Sequence, residues 1–363
     1  MPLTARRMDA PADWDGLQDY FAEHRLADGL PVVPPTEERV LAMLRYTDLA
    51  PEELIGLVPP RWGPATVEKV AINAVMAGCK PEYFPVIVAG ARAVSTPAFN
   101  LYSSETSTGA HGQMFIVNGP IRKELDINCS SGLLGPGYRA NATIGRALRL
   151  VIMNVGGSFP GVTCMSTHGQ GAKFSCCIGE NEERNPWTPL HIDRGFDRNV
   201  STVTAVSTRG SYDIICFSNK PGRILSVLAG SIQPLGNANV FYGGEPILLL
   251  CPEWANMLAN AGFSKADVQR HVYENSKVQL GRSPETEQRF SMSWRAKEFP
   301  NHTSETMVPY ADSPQHVLII VTGGPGDHST HVPTLGGMSI SQTVPIARRD
   351  GVPVKSVHEF VQR

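Results

Sequence analysis

The sequence predicts a mixed α/β fold, with sheets flanked by helices in two closely packed lobes, and three observations predict it. Apolar stripes of helical period dominate the first 158 residues. Short β-branched runs crowd the middle of the chain, and strand-helix alternation returns on either side of them. A chain of 363 residues has room for two cores of ordinary size. The division expected is a helix-rich lobe over 1–158 and a strand-rich lobe over 159–363, meeting near Gly157 to Gly161.

The elements follow in order. Trp14 to Leu26 reads as an amphipathic helix, and Thr36 caps a second one running to about Tyr46. Val67, Val70, Ala71, Ala74, Val75 and Gly78 fall on one helical stripe that stops at Cys79-Lys80-Pro81. Glu68 and Asn73 on that helix are expected in solvent or at caps. Pro81 suits the first turn of the next helix, Glu82 to Val94, which is apolar nearly all round and therefore central. Gln113 to Asn118 reads as a strand. The longest helix carries Ala140, Ile144, Ala147, Leu148, Val151, Ile152 and Val155 on one side and Arg139, Arg146 and Arg149 on the other.

Downstream, 174–178, 202–207 and 213–217 read as strands and 221–231 as helix. A strand at 246–251 and a helix at 252–262 follow, and Ser264 with Asp267 resembles a capping box. The polar, Pro-punctuated stretch 281–312 is expected as a long loop or lid. His316 to Thr322 is a strand covered on both faces, emptying into Gly323-Gly324-Pro325-Gly326.

Composition excludes some partners. With 32 Lys+Arg set against 34 Asp+Glu there is no basic excess to neutralise phosphates, so nucleic acid is not expected. No apolar run nears the roughly 18 residues of a membrane span, and the N-terminus lacks a secretory pattern. A cytoplasmic protein is expected, with seven free thiols, a small-molecule substrate and a homo-oligomeric or redox partner as its company.

Three constellations carry chemistry. In the loop 323–331, His328 serves as acid or base, with Gly324, Gly326 and Ser329 against the substrate. If that loop makes a helical turn, His328 and His331 face one divalent transition metal. The competing reading has Asp327 and Ser329 capping the next segment. The acidic turn supplies Glu180 and Glu183, followed by His191, as proton donors and acceptors or as a solvated surface turn. Third, the glycine-rich approach to the long helix, with Arg139 and Asn141, suits a carboxylate or phosphate, though its spacing is no nucleotide fingerprint. Cys129 is the one thiol near a helix start. His111 stands alone before its strand.

The segments Asp28 to Thr36, Gly63 to Pro85, Gly135 to Arg149, Glu180 to Glu183 with Pro186-Trp187, and Gly323 to Ser329 together resemble an uncharacterised bacterial family associated with small UGSC-type thiol or selenol proteins. The resemblance implies redox or sulfur-related metabolism and brings no catalytic residues. The residues themselves favour an enzyme of lyase or hydrolase type acting on a small anionic metabolite. A thiol-dependent oxidoreductase or its partner subunit, and a non-catalytic scaffold, are the alternatives.

Overall fold

The computed structural model describes residues 3–361. In chain order its strands are β1 (Leu54–Val58), β2 (Gly63–Thr66), β3 (Gly112–Asn118), β4 (Cys177–Gly179), β5 (Thr202–Thr208), β6 (Tyr212–Ile215), β7 (Ile247–Leu250), β8 (Lys277–Gln279), β9 (Met307–Pro309), β10 (Leu318–Val321), β11 (His328–Val332) and β12 (Gln342–Pro345). Two four-stranded sheets, ordered β12-β5-β3-β4 and β10-β7-β11-β6, carry the architecture, and β1-β2 and β8-β9 form small two-stranded antiparallel sheets. Both large sheets are mixed. β3 runs parallel to β4 and antiparallel to β5, while β7 runs parallel to β10 and antiparallel to β11.

Alternation along the strands builds four layers. Met114, Ile116 and Val206 of the first sheet meet Ile247, Leu249, Leu318, Ile320 and Val332 of the second in one apolar layer. Their neighbours Phe115, Val117, Val203 and Ala205 point the other way, onto the helices Val67–Met76, Phe84–Ser95 and Arg139–Asn154. Leu248, Leu250, Ile319 and Val321 likewise face the helices Pro221–Ser231, Pro252–Asn260 and Lys265–Asn275. The order is therefore helices, sheet, sheet, helices. β10 is buried at every position, as its unbroken aliphatic run predicts.

The expected boundary at 158 does not divide the sheets. β3 precedes it, yet pairs with β4 and β5 beyond it, so the first sheet draws on both halves. Other expectations shift in detail. Thr36 starts the helix Glu37–Leu44 without a side-chain cap, whereas Thr66 Oγ1 accepts from Lys69 N and caps Val67–Met76. Ser264 and Asp267 close a true capping box. The stretch 281–312 is not a bare loop, since it holds the helix Pro284–Ser291, a 3-10 turn and β9. Strand 174–178 shrinks to Cys177–Gly179 behind a 3-10 turn at Gly171–Lys173.

Glu68 and Asn73 are buried, contrary to expectation. Glu68 accepts three hydrogen bonds from Thr4 and Ala5 of the N-terminal arm, and Asn73 Oδ1 accepts from Asn154. The arm supplies donors that helical periodicity cannot reveal. Arg149 is buried as well, on Glu105, so the arginine face of the long helix is not uniformly solvated. Among the described residues no helix is long and apolar enough to cross a membrane.

Candidate functional site

The strand β3 separates two clusters of polar groups, one at each end. At its carboxyl end the chain places Asn118, Arg122, Cys129 and the acidic turn 180–183 together. Arg122 is buried and donates from Nη2 to both Glu183 oxygens, at 2.6 and 2.8 Å, and from Nη1 to Cys129 Sγ at 3.1 Å. Glu182 Oε1 accepts from Gly119 N at 2.6 Å. Glu180 is fully buried and accepts from Asn118 and Asn185 side chains and from Leu190 N. Burial raises its pKa, while Glu183 is held below the usual carboxylate range: its partial burial opposes this, and Lys123 and Arg122 outweigh it.

The loop after β10 joins this end. Gly323 N donates to Cys129 O at 2.9 Å, and a Cβ on Gly324 would lie 2.0 Å from Ser131 Oγ, so a side chain there collides with the Cys129 loop. Asn141 fixes the same loop from the long helix. Its amide accepts from Asn128 N and donates to Asn128 O and Cys177 O. These are ties between backbone segments. Asn141 and Gly324 thus hold the chain in place and present nothing to a ligand.

Several other expected site residues are also occupied elsewhere. Arg139 gives both Nε and Nη2 to Gly78 O, at 3.1 and 2.9 Å, and closes the end of the helix Val67–Met76 instead of awaiting an anion. Ser329 Oγ accepts from Cys251 N, and Gly326, at φ 144°, occupies an open turn. His191 is buried in a short helix, its Nδ1 without a partner, and burial depresses its pKa against the pull of Glu182. Cys129 is half-buried, and burial pushes its thiol up in spite of Arg122. Cys176 and Cys177 face opposite sides of the strand as alternation requires, and burial drives both thiols up, Cys176 to about 12.

The metal expectation for His328 and His331 fails on geometry. The segment is the strand β11, not a helical turn, and positions three apart in a strand lie on opposite faces. His328 is exposed, its Nδ1 2.9 Å from Asp213 Oδ2. His331 is buried, Nε2 has no partner, and burial lowers its pKa to about 4. One ion cannot reach both rings. No group of three or more His, Cys, Asp or Glu side chains among the described residues is placed to hold a metal.

The opposite end of β3 differs. There a cavity of about 920 Å³ opens between the segment 103–111, Arg209 just past β5, the helix Ala238–Tyr242, residues 288–293 and the turn at 335–338. The carboxyl end of β5 and the amino end of its antiparallel neighbour β3 both open here. No Asp or Glu lines the cavity.

His111 lines it, only 2% exposed, with neither ring nitrogen in a well-formed hydrogen bond and the Ser104 backbone its one near partner. Its ring packs on Gly109, where an added Cβ would come within 2.6 Å of Cε1. Burial, then the charges of Arg209 and Lys173, push its pKa down to about 4, against the pull of Glu105. Arg209 anchors its backbone N on Pro333 O at 2.8 Å. Burial disfavours its charge, Tyr242 is the one group whose field favours it, and no described carboxylate pairs with its guanidinium.

Behind the cavity lining the polar groups are satisfied. Glu105 takes Arg149 Nη1 at 2.6 Å, Gln113 Nε2 at 2.7 Å and the Ser158 hydroxyl, with Lys173 at 4.0 Å. Burial works against its charge, and Arg149 and Lys173 prevail, so its pKa lies below the ordinary value. Arg149 and Lys173 thus set two positive charges against one carboxylate, and Arg209 and Arg289 line the cavity in front of them. The side chains around the cavity therefore carry an excess of positive charge.

Sequence reading singled out His111 but missed Arg209. A signal was present: Ser207-Thr208-Arg209-Gly210 puts a lone cation at the end of a strand buried at every position. A cation in that setting is held near the core by its own strand. No protein-family model matches this chain, and no curated protein is significantly similar to it.

Proposed function

We propose that the protein is a cytoplasmic enzyme that binds a small anionic metabolite in the His111–Arg209 cavity and acts on it by proton transfer, in a lyase or hydrolase reaction. One observation carries the reading: a half-buried guanidinium that pairs with no described carboxylate stands beside a buried imidazole without a well-formed hydrogen bond, in a cavity that no acidic side chain lines. Unpaired buried polar groups are costly to keep, and a ligand that pairs with them removes that cost. The seven unpaired cysteines support the reducing compartment.

The chemistry follows from the electrostatics. At neutral pH the empty site holds His111 as a neutral imidazole, able to accept a proton but weakly basic. An anion on Arg209 offsets one of the positive charges that depress His111. The charge-borne part of the depression is then relieved and the ring becomes more basic, as general acid-base catalysis near neutral pH requires, while burial still holds it below its ordinary value. Binding the substrate activates the base.

Calorimetric titration with inorganic phosphate and with short carboxylates tests the site. Arg209→Gln is expected to lower affinity at least ten-fold, the loss of one charge-assisted contact of about 1.5–3 kcal/mol. His111→Gln should keep binding within a few-fold and remove turnover of any substrate then identified. Affinity indifferent to Arg209→Gln would reject the assignment.

A further inference from the structure

The cavity has a second character besides its charge. Its lining carries His111, Arg209, Arg289 and hydroxyl groups and, beside them, Phe241, Tyr242 and Met292. Met292 is 81% exposed at the rim, and Trp294, 48% exposed, sets its ring edge-on to Tyr242 with centroids 5.9 Å apart. Large apolar side chains left in water beside a cationic interior mark a surface that meets something apolar. A thioether next to aromatic rings suits an aromatic guest in particular.

Size points the same way. Cavities of about 300–1,000 Å³ enclose ligands of some twenty heavy atoms, whereas a two- or three-carbon acid would leave most of this one to water. We propose that the ligand is an aryl-substituted carboxylic acid, its carboxylate on Arg209 and its ring against Phe241, Tyr242 and Met292. The proposal rests on the anion reading above and narrows its substrate class. Small anions would still bind, by the head alone.

The test compares acetate with 3-phenylpropionate by calorimetry on the intact chain, in wild type, Arg209→Gln and Met292→Ser. Burying the phenyl group is expected to tighten binding at least ten-fold over acetate. Met292→Ser should remove several-fold of that gain and leave acetate unchanged, while Arg209→Gln weakens both acids. Phe241 packs against the helices behind it, so Phe241→Ala is informative only with an unchanged melting temperature, and the solvent-facing Met292 carries the test without that condition. Equal affinities for acetate and 3-phenylpropionate in wild type overturn the aryl acid and leave the anion site standing. If neither acid binds, both readings fall.

Discussion

The two ends of β3 lie roughly 20 Å apart and hold similar side chains in opposite states. At the carboxyl end Arg122 meets Glu182, Glu183 and Cys129, and Glu180 accepts from three donors. At the other end Arg209 meets no carboxylate among the described residues and His111 has no well-formed hydrogen bond. A charge already paired contributes to folding and has little left for a ligand. An unpaired one beside a cavity costs stability and retains its full capacity to bind. The acidic turn looks richer in chemistry when counted by residue type. The poorer-looking end is the one with free valence.

The largest effect separating the two ends is the response to losing an arginine. Arg122→Ala leaves Glu182 and Glu183 beside a hole in the core and deprives Cys129 of its donor. Breaking a buried ion pair costs about 3–5 kcal/mol, and the partial exposure of Glu183 places this case toward the lower end. Arg209→Gln removes a charge that nothing balances and should change stability by less than about 1 kcal/mol, in either direction. Urea denaturation of the two variants measures both. Comparable losses at the two ends would dissolve the distinction between them.

That distinction explains what was legible in the sequence. β10 and the long helix show in their periodicity, because burial on one face or both leaves a one-dimensional trace. The layer between the sheets shows only as alternation once the partners are known. β11 was missed because a Gly-Gly-Pro-Gly turn with His328, Ser329 and His331 has the composition of a reactive loop, while its ladder with β6 and β7 supplies the strand. Glu183 and Arg139 stood out by residue type. Their commitment to Arg122 and to Gly78 O depends on segments 61 residues away in each case, which no local pattern encodes. For Arg209 the missing fact was an absence, the lack of any carboxylate across a cavity built from five separate segments.

Acidification should sharpen the comparison. His111 and His331 have folded pKa values near 4, below the ordinary 6.5 of the unfolded chain. Between those values the unfolded chain takes up protons that the folded one refuses. Stability is therefore full above about pH 6.5 and declines as pH falls toward 4, by up to about 3 kcal/mol for each histidine. Glu183, with a lowered pKa, begins to give up its contribution only near the ordinary carboxylate value and below. The histidines should fail first and the acidic turn later. Urea midpoints from pH 7 to pH 4 measure the decline, and His111→Gln should flatten its share of it. An unchanged slope in His111→Gln would mean that the ring is not held neutral.

The smallest expected effect concerns the residue with the most suggestive surroundings in sequence. His328 sits on the surface in β11 with Asp213 opposite, both side chains more than half exposed at 55% and 66%. Such pairs contribute about 0–1 kcal/mol, so His328→Ala should shift stability by no more than that. It should also leave the affinity for acetate and phenylpropionate unchanged, since its partner Asp213 belongs to β6, on the second sheet, and neither residue lines the cavity. Any large loss of turnover in His328→Ala, measured beside His111→Gln on the same substrate, would move the chemistry to the β11 surface and leave the His111 cavity as a binding site alone. Retention of turnover in His328→Ala with loss in His111→Gln would make the buried, unpaired imidazole the one that transfers the proton.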